Sequence, residues 1–361
     1  MNVHSVCFVM PNMSGGGAQR VVSILANELV HSGWDVSILL TNDTVIEYEL
    51  DSHIVIDRSC AQTKQGASGQ IRYIRKTMRA MPSTTFVSFL DNQNLFTVLA
   101  GIGMPNRTVI SQRNDPHQAF SDRPYMRPIA RWLYQYADHA VFQTKDAMAY
   151  YPKRGARKYS VILNPLNEAL PQPYTGERSH RVVTVCRLNV QKNLYLALDA
   201  FAEFSRNHDD YVFEIYGKGE LEEQLKAYAQ QLGLSGKVQF KGFCSDVHTR
   251  IIDAAMFIIT SDYEGLSNAM LESLAIGLPT IATDCPIGGA RMVIKNGENG
   301  VLVPVGNRSA LVHAMQTIAD NQRIQQQLSS NGAKIRERLS IQHICDQWVD
   351  VLSGQRNSVE R

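Results

Sequence analysis

Hydrophobic and polar positions along this chain alternate between two periods. Short runs rich in β-branched and aromatic residues, HSVCFVM at 4–10 and WDVSILL at 34–40, read as strands. Between them AQRVVSILANELVHSG sets apolar residues at helical spacing. TTFVSFL, RTVISQ, HAVFQT and YSVILN continue the strand series through the first half, with helical segments between them. From Asn164 to Arg181, NPLNEALPQPYTGERSHR is proline-rich and poor in apolar residues, so it reads as a linker. The pattern then restarts. RVVTVCRL, YVFEIYG, KVQFKG, AMFIITS, TIAT and VLVP read as strands, NLYLALDAFAEFSRNH and GELEEQLKAYAQQLGL as helices, and the C-terminus is helical from about Asn307. Strands and helices in alternation imply parallel sheets covered on both faces. The expected class is α/β, with two Rossmann-like parallel-sheet domains facing a cleft and ligands at the carboxyl ends of the strands. The expected boundaries are 1–165 for the first domain, 166–180 for the linker, 181–339 for the second domain, and 340–361 for a terminal helix able to pack back on the first.

Composition narrows the class. Of 361 residues 44% are hydrophobic and 19% charged, which supports sizeable cores and argues against disorder. The longest apolar run, IIDAAMFII at 251–259, is too short for a membrane span and is broken by Asp253. MNVHSVCFVMPN at the start lacks the basic and apolar regions of a signal peptide. Six scattered cysteines, with no CxxC pair and no metal-ligand spacing, read as reduced thiols of a cytoplasmic protein.

The net charge of +2 conceals a split: residues 59–165 carry +10, against −5 before them and −3 after. Such a block suits an anionic partner, whether phosphates, nucleic acid or an acidic membrane; it also fits a solvated basic face. IRYIRKTMRA, 71–80, puts Ile71, Ile74 and Met78 on one helical face with Arg72, Arg75, Lys76 and Arg79 beside it. That is the pattern of an interfacial helix drawn to anionic lipid, and equally of an amphipathic helix packed on its own domain. RPYMRPIARWLYQY, 123–136, adds arginines with Trp132 and tyrosines, residues that favour a membrane interface.

Four motifs carry chemistry. SGGGAQR, 14–20, is a Gly-rich turn between strand and helix in which Gly16 and Gly17 allow backbone to approach a phosphate or sugar, or simply make a tight turn. It is not the dinucleotide fingerprint, since Arg20 stands where the last glycine would be. CRLNVQKN, 186–193, places Arg187 and Lys192 between a strand end and a helix start. Two cations there suit a diphosphate, or form a pair of surface charges that oppose the helix dipole. YGKGEL, 216–221, offers Gly217 and Gly219 for close backbone approach on the same rim. SDYEGLSNAMLESLAIG, 261–277, sets Glu264 ahead of a helix with Ser267 as its N-cap and Glu272 just over one turn inside. Free N–H groups at such a start bind anions, while the carboxylates can grip hydroxyls; an ordinary capped helix has the same sequence.

Together, GGGAQR, CRLNVQKN, GKGEL, EGLSNAMLESLAIGLPTIATD and GGARMVI resemble, in order and over nearly the whole chain, retaining glycosyltransferases of family four on the GT-B fold. The likeness extends to bacterial enzymes that lengthen polyprenyl-diphosphate-linked glycans. It implies that Arg187 and Lys192 hold the donor's diphosphate with backbone at Leu266, Ser267 and Asn268, that Glu264 meets the transferred sugar, and that Glu272 meets the ribose. Two departures, Cys186 for the usual glycine and Asn189 for an acid, look tolerable. A third is sharper. In ISQRNDPH, 110–117, Gln112 replaces an acid and Arg113 fills the position near the reacting sugar where relatives carry histidine or arginine. The catalytic candidates are therefore Glu264 and Arg113.

For the acceptor, FLDNQN contributes Asp91, Asn92 and Asn94, and His117 is a candidate by proximity. No D-x-D occurs, so no metal and no cofactor are expected beyond a nucleotide-sugar donor, most simply UDP-linked. The resemblance implies a hexose or N-acetylhexosamine transferred to a polyprenyl-linked glycan, by a protein peripheral on the inner face of the cell membrane. Alternatives are an epimerase or phosphorylase on the same fold, and a nucleic-acid-binding protein using the 59–165 block. The last predicts interleaved aromatics or a recognition helix. Neither is evident.

Overall fold

The computed structural model describes residues 4–152, 158–167 and 169–354. Positions 153–157 of the basic block, 168 of the linker and 355–361 of the terminal segment lie outside the described residues, as do 1–3. The chain divides into two compact units, Met1–Pro165 with Leu339–Arg361, and Leu166–Arg338.

The first unit runs β1 (Ser5–Met10), α1 (Gly17–His31), β2 (Asp35–Leu40), β3 (Val55–Asp57), α2 (Ser59–Gln62), α3 (Ala67–Ala80) and β4 (Thr85–Phe89). It continues through α4 (Asp91–Gly101), β5 (Thr108–Gln112), α5 (Met126–Leu133), β6 (His139–Phe142), α6 (Lys145–Tyr150) and β7 (Lys158–Val161). Its parallel sheet has the order β3-β2-β1-β4-β5-β6-β7. β4 and β5 are buried along their whole length, which is why they read as continuous apolar runs rather than alternating ones. β3 went unpredicted: its three residues, with Val55 67% exposed, are too few to show a period.

The second unit runs β8 (Ser179–Val185), α7 (Leu194–Phe204), β9 (Val212–Tyr216), α8 (Glu222–Gln231), β10 (Val238–Gly242), α9 (Val247–Ile251) and β11 (Ala254–Ile259). Then come α10 (Asn268–Ala275), β12 (Thr280–Thr283), β13 (Val301–Val303), α11 (Arg308–Asp320), α12 (Gln322–Ala333) and α13 (Ile335–Arg338). Its parallel sheet has the order β10-β9-β8-β11-β12-β13. Phe201, Phe204, Phe213, Ile258 and Leu311 are among the side chains that fill the core between sheet and helices.

α14 (Ile341–Ser353) then returns to the first unit. It packs on α1, and its Trp348 is fully buried and stacked on Phe89 at 5.4 Å. Chain order reverses between β1 and β4 in one sheet and between β8 and β11 in the other. Such switch points open a crevice at the strands' carboxyl ends, where ligands of doubly wound sheets bind.

Candidate active site

In the second unit the switch point is built from two loops tied to each other. The loop after β8 carries Arg187 and leads into a 3₁₀ turn, Val190–Lys192. Asn193 follows in the left-handed region, φ 43°, and caps α7 by accepting from the Leu196 N–H. The loop after β11 carries Ser261 to Gly265. Gln191 Nε2 donates to Tyr263 O at 2.9 Å, Asp262 N to Gln191 O at 3.0 Å, and Asn193 Nδ2 to Asp262 Oδ1 at 2.7 Å. Thr260 Oγ1 donates to Lys192 O at 2.9 Å. This lattice brings Lys192 Nζ onto Glu264 Oε2, and Ser261 Oγ adds a donor to the same oxygen at 3.2 Å. Lys192 is 15% and Glu264 20% exposed, so the pair is largely shielded yet reachable.

Ser267 caps α10, its Oγ accepting from Met270 N at 3.4 Å. Leu266 is buried, Asn268 half-buried, and Glu264 stands in the loop ahead of the helix. Glu272, inside α10, is 6% exposed, and His248 Nε2 lies 2.8 Å from its Oε2. Arg187 is exposed on the loop after β8. Burial pushes the neighbouring Cys186 and Cys285 thiols up to about 11, so both are neutral at physiological pH.

Gly217 and Gly219 need a correction. A Cβ on Gly217 (φ +129°) would fall 1.8 Å from Cys186 O, and one on Gly219 2.2 Å from Leu188 O. Their missing side chains let the loop after β9 lie against the loop after β8, where Leu188 N donates to Lys218 O at 3.0 Å. The close approach is chain to chain. Gly289 does the same for the acidic loop, since its Cβ would meet Gly265 O at 1.6 Å. Sequence reasoning missed Gln191, Asn193, Asp262, Gly289 and His248; only the Gly288–Gly289 pair, after a strand, offered a signal.

In the first unit, Gly16 is the N-cap of α1 and Gly17 its first residue. Gly16 O accepts from Tyr48 Oη at 3.0 Å, and glycine at the N-cap gives this helix start no side-chain cap of its own. At the switch point Leu90 adopts φ 75°, ψ 149°, a glycine-type conformation that stores roughly 1–3 kcal/mol of strain. Asp91 follows, accepting from Gln112 Nε2 at 3.0 Å; burial raises its carboxyl pKa. Asn92 accepts from Arg123 at 3.1 Å. Asn94 is wholly buried, bonded to Ser88 Oγ and Ser111 O at 2.9 Å each, so it stitches β4 to β5 and cannot meet an acceptor.

Arg113 lies over the Phe89 ring at 5.2 Å and donates to Asn164 Oδ1 and, at 3.4 Å, to Ser111 Oγ. Burial lowers its pKa to about 9, which leaves it cationic at neutral pH. His117 is solvent-facing, with Nδ1 3.0 Å from Asp115 Oδ1.

The basic helix also needs correcting. On α3, Ile74 and Met78 are buried in the fold, so its apolar face is not offered to lipid. Arg75 NH1 donates to Ala100 O and Ile102 O at 2.8 Å each, closing the end of α4. Arg72, Lys76 and Arg79 remain exposed. The apolar surface lies instead on α5 and the turn after it. Tyr125, Ile129, Trp132 and Tyr136, at spacings of four, three and four, are 66, 44, 54 and 44% exposed. Ala130 and Leu133 hold the opposite face.

Among the described residues no helix is long and apolar enough to cross a membrane, and no group of three His, Cys, Asp or Glu could hold a metal ion.

Residues 169–335 match the family described as glycosyl transferases group 1. A Campylobacter jejuni relative is 25% identical over 98% of this chain and 99% of its own length. It is described as GalNAc-alpha-(1->4)-GalNAc-alpha-(1->3)-diNAcBac-PP-undecaprenol alpha-1,4-N-acetyl-D-galactosaminyltransferase. Among solved structures, Anabaena HepE in complex with UDP superposes with a TM-score of 0.80 at 18% identity, covering 97% of this chain and 100% of that one. Sucrose-phosphate synthase from Thermosynechococcus elongatus gives 0.82 at 16% identity, covering 97% and 98%. Residues 169–335 thus form a glycosyl transferases group 1 domain, in a chain whose two parallel-sheet units have the GT-B fold.

Proposed function

We propose that the chain is a retaining, metal-independent transferase that moves a hexose or N-acetylhexosamine from a UDP-sugar to a polyprenyl-diphosphate-linked glycan. It would work from the cytoplasmic face of the cell membrane. The observation that carries this reading is the Lys192–Glu264 pair beside the Ser267-capped helix start, at the switch point of the second sheet. A cation, the start of a helix and a carboxylate there suit a diphosphate bonded to a sugar. Arg187, Lys192 and the backbone at Leu266, Ser267 and Asn268 would take the diphosphate, Glu264 the sugar, and Glu272 the ribose. These groups stabilise the charge that develops as the diphosphate leaves. The departing phosphate oxygen then accepts the acceptor hydroxyl's proton on the same face of the sugar. The lipid-linked acceptor draws support from the Campylobacter relative's description; Asp91, Asn92 and His117 are the groups offered to it in the first unit, and Arg113 is the catalytic candidate there.

The test is incubation of the protein with UDP-sugars and an undecaprenyl-diphosphate-linked glycan, in excess EDTA, with product analysis by mass spectrometry and NMR. Transfer with the donor's anomeric configuration kept is the expected result. Loss of activity restored only by Mn²⁺ or Mg²⁺ would refute metal independence. Conversion of the donor without an acceptor would make the protein an epimerase or phosphorylase instead.

Membrane docking through the α5 stripe is the remaining part of the reading. Exposed aromatics beside Arg131, with Arg72, Lys76 and Arg79 on α3, suit an anionic interface. Trp132→Ser with Ile129→Ser should lower binding to anionic vesicles about tenfold or more, as apolar burial of about 1–2 kcal/mol per side chain implies. Changing Arg72, Lys76 and Arg79 to Ser should remove mainly the salt-sensitive part of binding. Wild-type protein that ignores anionic vesicles at low salt would sink the idea.

A further inference from the structure

Glu272 is a carboxylate almost wholly enclosed in the second unit, at 6% exposure. Burying such a charge is costly unless donors reach it. His248 supplies one, its Nε2 2.8 Å from Glu272 Oε2. It comes from a different segment, the short α9 that follows β10. Two separate pieces of the fold are thus joined at one carboxylate oxygen. We propose that His248 is a positioning residue for nucleotide binding: through Oε2 it holds the Glu272 side chain in the orientation that presents its carboxylate to the ribose hydroxyls. This rests on the reading of Glu272 as the ribose ligand.

The chemistry favours an imidazole in this role. A free glutamate has several rotatable bonds to immobilise when a ligand arrives, and pinning one oxygen beforehand removes much of that ordering cost. Nε2–H donates in the neutral and the charged imidazole alike. His248 itself need not touch the nucleotide.

The experiment measures calorimetric Kd values for UDP and for 2′,3′-dideoxy-UDP on the intact protein and on His248→Ala, His248→Gln and Glu272→Ala. Donor KM and kcat are measured alongside. His248→Ala should raise the UDP Kd about three- to tenfold, the cost of re-ordering one side chain that has lost the contact orienting it. It should leave the dideoxy Kd within about twofold, because no ribose hydroxyl is there to bind. Donor KM should rise in parallel, with kcat at saturating donor little altered. His248→Gln, whose amide can still donate, should recover most of the loss. Glu272→Ala should weaken UDP more than either His248 variant and also spare the dideoxy nucleotide. If His248→Ala weakened both nucleotides equally, or neither, the positioning role would be wrong, even with Glu272→Ala behaving as expected. If Glu272→Ala failed to distinguish the two nucleotides, the ribose assignment would fall and the proposal with it. Should His248→Ala melt markedly lower than wild type, the Gln variant decides: recovery of thermal stability without recovery of UDP affinity would overturn the role, and recovery of both would uphold it.

Discussion

Replacing Glu264 by Ala is expected to lower kcat at least about a hundredfold while changing the Kd of free UDP by less than about threefold. The magnitude is that of losing one preorganised electrostatic group beside a reacting centre, roughly 10²–10³ in rate or about 2.7–4 kcal/mol. The sparing of free nucleotide follows from what Glu264 touches. Its Oε2 takes Lys192 and Ser261, so the carboxylate competes with a diphosphate for the lysine instead of binding nucleotide itself. Removing it frees that cation, and UDP affinity should hold or rise slightly. Glu264→Gln keeps a hydrogen-bonding side chain without the charge and should fall between wild type and Ala in kcat. Single-turnover transfer with calorimetry of UDP separates the two effects. Wild-type kcat in Glu264→Ala, or a UDP loss as deep as that of Glu272→Ala, would remove Glu264 from its assigned place.

Much of this architecture was legible because parallel strands covered on both faces must be apolar throughout. β4 and β11 show it: TFVSF and AAMFII are buried at every position. The parallel sheets followed from the alternation of elements, and the N-cap at Ser267 from a serine ahead of an apolar helix, whereas the switch points needed the strand order. Illegible features share a cause: one residue type answers two physical demands. Gly217 and Gly219 read as room for a ligand, yet what approaches them is the chain's own Cys186–Leu188 backbone. Asn94 looked like a sugar-binding amide at a strand end, and is spent inside the sheet on Ser88 and Ser111.

Arg75 looked like one of four equivalent cations until its guanidinium met two carbonyls at the end of α4. Net charge and helical period do not reveal such capping. His248 gave no signal at all, because α9 spans only Val247–Ile251 and its partner lies 24 residues on. The lattice of Gln191, Asn193 and Asp262 was hidden for the same reason. Its bonds join loops about 70 residues apart, and no local pattern encodes them.

The two cations expected to grip the diphosphate should respond differently to the same change. Arg187→Ala and Lys192→Ala should each raise the UDP Kd by roughly ten- to a hundredfold, since a hydrogen bond to a charged group contributes about 1.5–3 kcal/mol. Arg187 is exposed, so its loss should leave thermal stability nearly unchanged. Lys192 is not, and its removal strands the Glu264 carboxylate at 20% exposure without the cation that faces it. Lys192→Ala should therefore lose both nucleotide affinity and melting temperature. Combining it with Glu264→Ala should restore much of the melting temperature, because no unpaired carboxylate is left behind, while UDP affinity stays low. Calorimetry and thermal melts on the three single variants and the double variant complete the set. Two outcomes would each undo the clamp. One is UDP binding unchanged in both Arg187→Ala and Lys192→Ala. The other is a double variant that regains UDP affinity along with its stability, which would make Lys192 a structural partner of Glu264 and nothing more.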